Sequence, residues 1–103
     1  MKKGIISLMA AAALGLAAQA HAADAQELAK SKNCLTCHMV DKKLVGPAFK
    51  DVAAKYKGDS GAVADLSKKV INGASGTWGP IPMPPNPVSQ EEAKALVEWI
   101  LAL

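Results

Sequence analysis

Cys34-Leu35-Thr36-Cys37-His38 confines both cysteines of the chain to five residues, with a histidine directly behind them. A Cys-x-x-Cys pair closes too short a loop to restrain the unfolded chain much, so its worth to the fold lies in what the thiols bind or exchange. The other histidine, His21, falls in an amino-terminal stretch that reads as an export signal. Lys2 and Lys3 give a positive start, Ile5 to Ala18 an uncharged apolar run, and Ala20-His21-Ala22 small residues at the two positions a signal peptidase inspects. The expectation is a signal peptide over residues 1–22 and one domain over residues 23–103. Cleavage after Ala20 also fits Ala18-Gln19-Ala20, and the apolar run, if retained, is nearly long enough for a membrane anchor.

Removing the leader from 103 residues leaves 81, a size at which an apolar core alone keeps a thin margin over chain entropy. Two of the twelve lysines and no acid leave with it, so the formal net charge falls from +3 to +1. That balance, with no basic stripe interleaved with aromatics, argues against a nucleic-acid partner. Every basic residue is lysine, which disfavours a site built on bidentate recognition of phosphate or carboxylate.

The remaining chain carries helical periods and no credible strand. Ala25, Leu28 and Ala29 place a small apolar stripe on a first helix running into the cysteine segment. Phe49, Val52, Ala53 and Tyr56 recur at i, i+3, i+4 and i+7, with Gly58 as a stop. Val63, Leu66, Val70 and Ile71 mark a third helix closed by Gly73. Ser89 with Glu92 forms a capping-box signature, after which Ala93, Leu96, Val97, Ile100 and Leu101 share one face of a fourth. Gly73 to Pro87, rich in glycine and proline, is expected as one long structured loop. The fold class is therefore all-α, with about four helices.

Several chemistries use the cysteine segment. A zinc site needs three or four protein ligands, and here adjacent Cys37 and His38 diverge with no second cysteine or histidine group to complete a cage. A thiol oxidoreductase places its Cys-x-x-Cys at the end of a strand before a helix, and no strand is available. A structural disulfide is possible in an oxidising compartment. Cys-x-x-Cys-His is also the attachment sequence for c-type haem, in which each thiol adds to one vinyl group and the histidine projects to the iron. An export signal strengthens that choice, and one haem c per chain, bound through Cys34 and Cys37 with His38 on the iron, is the expectation.

Such an iron has a sixth position. Met39 leaves the turn about 100° round from His38, on the same side of the ring, and is better placed as a packing residue. Met83, 45 residues beyond His38 in Gly79-Pro80-Ile81-Pro82-Met83-Pro84-Pro85-Asn86-Pro87, lies in a segment able to cross to the other face. Flanking prolines leave little conformational freedom to lose on presenting its thioether. The alternative for Met83 is an apolar loop residue packed on the core.

Residues 34–56, "CLTCHMVDKKLVGPAFKDVAAKY", and residues 72–101, "NGASGTWGPIPMPPNPVSQEEAKALVEWIL", resemble the short bacterial class I cytochromes c. The likeness spans essentially the whole chain beyond the leader. It implies a small helical shell around one haem, His38 and Met83 as axial iron ligands, and thioethers at Cys34 and Cys37. It further implies that the Pro47 carbonyl accepts a hydrogen bond from His38, that the Trp78 indole meets a haem propionate, and that Asn86 orients the methionine side. In ordinary terms Trp78 is a packing anchor and Asn86 a turn residue. Lys69 stands where the type member has an arginine near a propionate, and Phe49 where it has a tyrosine.

The resemblance implies one-electron transfer in the periplasm, with no enzymatic turnover. The redox partners it implies are a nitrite reductase, terminal oxidase or peroxidase as acceptor and a bc-type complex or a substrate dehydrogenase as donor. A monomer without stable membrane association after cleavage is expected. Lys30, Lys32, Lys42, Lys43 and Lys50 are candidates for a docking ring, or are simply a solvated surface. A haem sensor or peroxidase-like enzyme, with the sixth position open, and a thiol oxidoreductase are the competing functions.

Overall fold

The computed structural model describes residues 24–103; the signal peptide expected over residues 1–22 lies outside them. Helix α1 covers residues 24–31 and buries Ala25 and Ala29, whose small side chains let it lie close against the rest of the chain. The chain then turns through Asn33, in the left-handed region at φ 62°, into a single 3-10 turn at Cys34–Thr36. The Cys34 carbonyl accepts from both the Cys37 N–H at 3.3 Å and the His38 N–H at 3.0 Å, which fixes the spacing of the two cysteines.

Helices α2 (Phe49–Lys55), α3 (Ala62–Asn72) and α4 (Gln90–Leu101) follow, with α4 packed on both of the others. α2 stops at Lys55, with Tyr56 as its C-cap, and Gly73 ends α3 in a positive-φ conformation. The expected capping box is present at α4: Ser89 Oγ accepts from the Glu92 amide at 3.1 Å, and Glu92 Oε1 accepts from the Ser89 amide at 2.9 Å. Among the described residues there is no extended strand, and the Gly73–Pro87 segment carries a single antiparallel bridge, Ala74 with Met83.

The core gathers Ala25, Ala29, Phe49, Leu96 and Trp99 where α1, the start of α2 and α4 meet. Trp99, three positions after Leu96 on the same face of α4, is only 9% exposed and meets Phe49 edge to face at 5.6 Å between centroids. This residue widens the apolar face beyond the stripe expected for the fourth helix. The stripe of α3 does a different job: its one buried residue is Ala62, and Leu66 and Val70 face a cavity instead.

Candidate functional site

The site begins in the segment joining the 3-10 turn to α2. The first amides of a helix lack partners within it, and here those of Phe49 and Lys50 donate to the Met39 and Val40 carbonyls at 2.9 and 3.1 Å. Gly46 N–H donates to the Cys37 carbonyl at 2.8 Å, drawing the loop back over His38. His38 Nδ1 lies 2.8 Å from the Pro47 carbonyl oxygen. A carbonyl can only accept, so in the neutral ring the proton is on Nδ1, the tautomer that leaves the Nε2 lone pair free. The imidazole stacks on Phe49, with centroids 5.0 Å apart and planes 20° apart.

Gly46 has a role that sequence reasoning did not single out. A Cβ at that position would sit 2.5 Å from His38 Cε1 and 2.9 Å from Nδ1, so the backbone there forms a cradle that only glycine leaves open. The signal was its place directly before Pro47.

Met83 is fixed through its main chain. Its N–H donates to the Ala74 carbonyl at 2.7 Å and its carbonyl accepts from the Ala74 N–H at 3.0 Å. Gly73 makes that approach possible, because a Cβ on it would lie 2.8 Å from the Met83 oxygen. Asn86 closes the segment: its main-chain N–H and its side-chain amide both donate to the Val70 carbonyl, at 3.2 and 3.0 Å, and the amide also donates to the Pro84 carbonyl at 3.2 Å. Val70 is in the last turn of α3, so Asn86 fills a carbonyl the helix leaves unpartnered. Its hold on Met83 runs through the backbone of Pro84.

These two assemblies face one cavity of about 610 Å³, within the range of roughly 300–1,000 Å³ common for small-molecule sites. Cys34, Cys37, His38, Pro47, Trp78 and Met83 all line it, whereas Asn86 stands behind the wall. Phe49, Val52 and Tyr56 from α2, Leu66 and Val70 from α3, and Leu96, Val97 and Ile100 from α4 complete an apolar lining. The two cysteines are not disulfide-bonded to one another. Burial pushes the Cys34 thiol above its ordinary pKa, partly offset by a backbone hydrogen bond, the opposite of the lowered pKa that thiol exchange uses. Among the described residues no cluster of three or more histidine, cysteine or acidic side chains is arranged to hold a metal ion.

The cavity suits a large, flat, mostly apolar group bearing an iron. It offers two thiols and an imidazole lone pair from one segment, a thioether from another, and Tyr56, Lys69, Ser75 and Trp78 as polar groups in its wall. Lys69 is drawn to Asp65 at 3.3 Å, one turn away on α3. Of the five lysines near the motif, Lys50 pairs with Asp41 at 2.7 Å, Lys30 with Glu27 at 3.5 Å, and Lys32 donates to the Pro87 carbonyl at 3.2 Å. Lys42 and Lys43 have no ion pair or side-chain hydrogen bond among the described residues.

Residues 22–103 match the family described as "Cytochrome c". The chain is 52% identical to cytochrome c-551 of Pseudomonas aeruginosa over 98 residues, covering 95% of this chain and 93% of that one. It is also 52% identical to cytochrome c-552 of Nitrosomonas europaea over 104 residues, covering 100% and 99%. The crystal structure of wild-type Nitrosomonas europaea cytochrome c552 superposes with a TM-score of 0.74 at 54% identity, over 76% of this chain and 98% of that one. The class 1 cytochrome MtoD of Sideroxydans lithotrophicus superposes with a TM-score of 0.62 at 39% identity, over 76% and 90%.

Proposed function

The chain belongs to the cytochrome c family as a short class I member, and on that premise we propose that it is a diffusible periplasmic one-electron carrier using Cys34 and Cys37 as thioether anchors and His38 and Met83 as axial ligands. Its cofactor is a covalently attached c-type haem, which supplies an Fe(II)/Fe(III) couple. One observation supports the ligand set: a single cavity is lined by both thiols, the imidazole and, of the two methionines among the described residues, Met83 and not Met39.

The chain's own residues then set the chemistry. The Pro47 carbonyl fixes the His38 tautomer and makes Nε2 a stronger donor. The Met83 sulfur, paired with a histidine, favours the reduced state relative to two nitrogen ligands. The apolar lining excludes water and disfavours the extra positive charge of the oxidised state. The Trp78 indole N–H is the donor proposed for a propionate, and Asn86 braces the methionine segment.

Residues 1–22 are proposed as the signal that delivers the chain across the inner membrane. Among the described residues, no helix is long and apolar enough to cross a membrane. The partners proposed are a nitrite reductase, terminal oxidase or peroxidase on one side and a bc-type complex or a substrate dehydrogenase on the other. Of the five lysines, Lys42 and Lys43 are the two without an ion pair or side-chain hydrogen bond among the described residues, and these two are proposed to meet an acidic partner. A rim of cations speeds encounter more than it tightens the complex.

Exposing the ferrous protein to carbon monoxide at neutral pH tests the function. A clamped sixth ligand predicts no ready uptake; prompt binding would show an open iron and overturn the carrier reading in favour of a sensor or peroxidase.

A further inference from the structure

We propose that Lys55 is a positioning residue that holds the Trp78 indole against the cavity wall and thereby tunes the iron's reduction potential, an inference that rests on the haem reading above. Lys55 Nζ lies 5.6 Å from the Trp78 ring centroid and 5.9 Å from that of Tyr56, within the range of cation–π attraction for both. It forms no ion pair among the described residues, so the two rings are its partners. Both rings line the cavity, and Lys55 itself stands outside, in the last turn of α2. A lysine there already suits the carbonyl end of the helix. Neighbouring Lys57 carries the same charge but has no such ring contact, so general surface charge does not account for the arrangement.

Trp78 needs an external hold. It sits in a turn closed by the Gly76 N–H donating to the Gly79 carbonyl at 3.1 Å, with both glycines at positive φ. Among the described residues, no hydrogen bond or ion pair from residues 75–82 reaches a helix; the nearest ties are the Ala74–Met83 bridge and Asn86 on Val70. Lys55 therefore supplies the polar link from that turn to the helical shell. Two effects act in the same direction on the iron. The ammonium adds positive charge near the cofactor, which disfavours the oxidised state. By steadying the indole, it would also keep the N–H directed at the propionate proposed for Trp78, which would neutralise part of that negative charge.

The test compares haem-loaded parent, Lys55→Met and Lys55→Arg. Lys55→Met keeps an apolar stem and removes the cation, while Lys55→Arg keeps a cation able to stack on an aromatic face. Hydrogen exchange of the two tryptophan indole N–H groups is followed by NMR in the ferrous state, and the reduction potential is measured on the same samples. Expected are several-fold faster exchange at Trp78 with Trp99 unchanged, a potential shifted to more negative values in Lys55→Met, and parental behaviour in Lys55→Arg. An unchanged potential, or unchanged Trp78 exchange, in Lys55→Met overturns the proposal while leaving the haem reading intact. A colourless parent overturns both.

Discussion

His38 illustrates how much a single side chain depends on its neighbours' shapes. Its ring is oriented by the Pro47 carbonyl, stacked on Phe49 and approached by Gly46 with no room for a methyl group. Gly46→Ala is therefore expected to push the ring off its hydrogen bond and cost about 1–3 kcal/mol, as overpacked sites do. Chemical denaturation of the haem-loaded variant checks this, and an unchanged midpoint would mean the loop yields freely. Met83→His exchanges a thioether for a second nitrogen ligand, so the potential should fall, read by redox titration; an unchanged value would remove Met83 from the iron. Asn33 is a non-glycine residue at φ 62°, a conformation that costs an ordinary side chain roughly 1–2 kcal/mol. Asn33→Ala should lower stability by about 1 kcal/mol, whereas Asn33→Gly should be neutral or better. Equal stability of the two variants in urea melts would show that the turn relaxes.

The elements divide into those held by their own caps and those held by the loop. α4 has both halves of its capping box, and Ser89→Ala is expected to cost about 1 kcal/mol. The Ser89 amide, donating to the Glu92 carboxylate, holds Glu92 below its ordinary pKa, with Lys32 adding a smaller pull. A carboxylate whose folded-state pKa is depressed gives its stabilisation in full above the unfolded value and loses it as pH falls through the folded one. Acid titration of stability should therefore be steeper in the parent than in Glu92→Gln; parallel curves would show that the box does not depend on charge. α4 and its cap were legible in the sequence because Ser89, Glu92 and the apolar period are local signals. Trp99 was not, because its burial depends on an edge-to-face partner, Phe49, fifty positions away. The same limit applies to Gly73: its helix-ending role was local and readable, but its tolerance of the Met83 carbonyl at close range depends on the isolated Ala74–Met83 bridge, which joins residues nine apart.

At the scale of the whole molecule, the helices enclose a cavity more than they build a solid core. Among the described residues the fully buried side chains are few, and the largest of them are Leu96 and Val97. Three helices turn apolar residues toward the cavity, so the haem is expected to complete the interior of a chain too short to fill one alone. The cysteine motif and the proline-flanked methionine were visible in the sequence as separate ligands. Their convergence was expected from the reach of the Met83 segment and from the resemblance, but the contacts that produce it, the Ala74–Met83 pairing and Asn86 bracing α3, were not legible because each joins positions far apart in the chain. The same pattern holds for the lysines, which one sequence can count but cannot sort into Lys50 and Lys30, paired with acids, and Lys42 and Lys43, which have no ion pair among the described residues. In the proposed site, one haem is bonded to Cys34 and Cys37 and held between His38 and Met83. An optical spectrum of the exported protein in both redox states tests it most directly. A narrow reduced α-band together with a weak far-red band on oxidation is the predicted result, and an absence of visible absorption would contradict it.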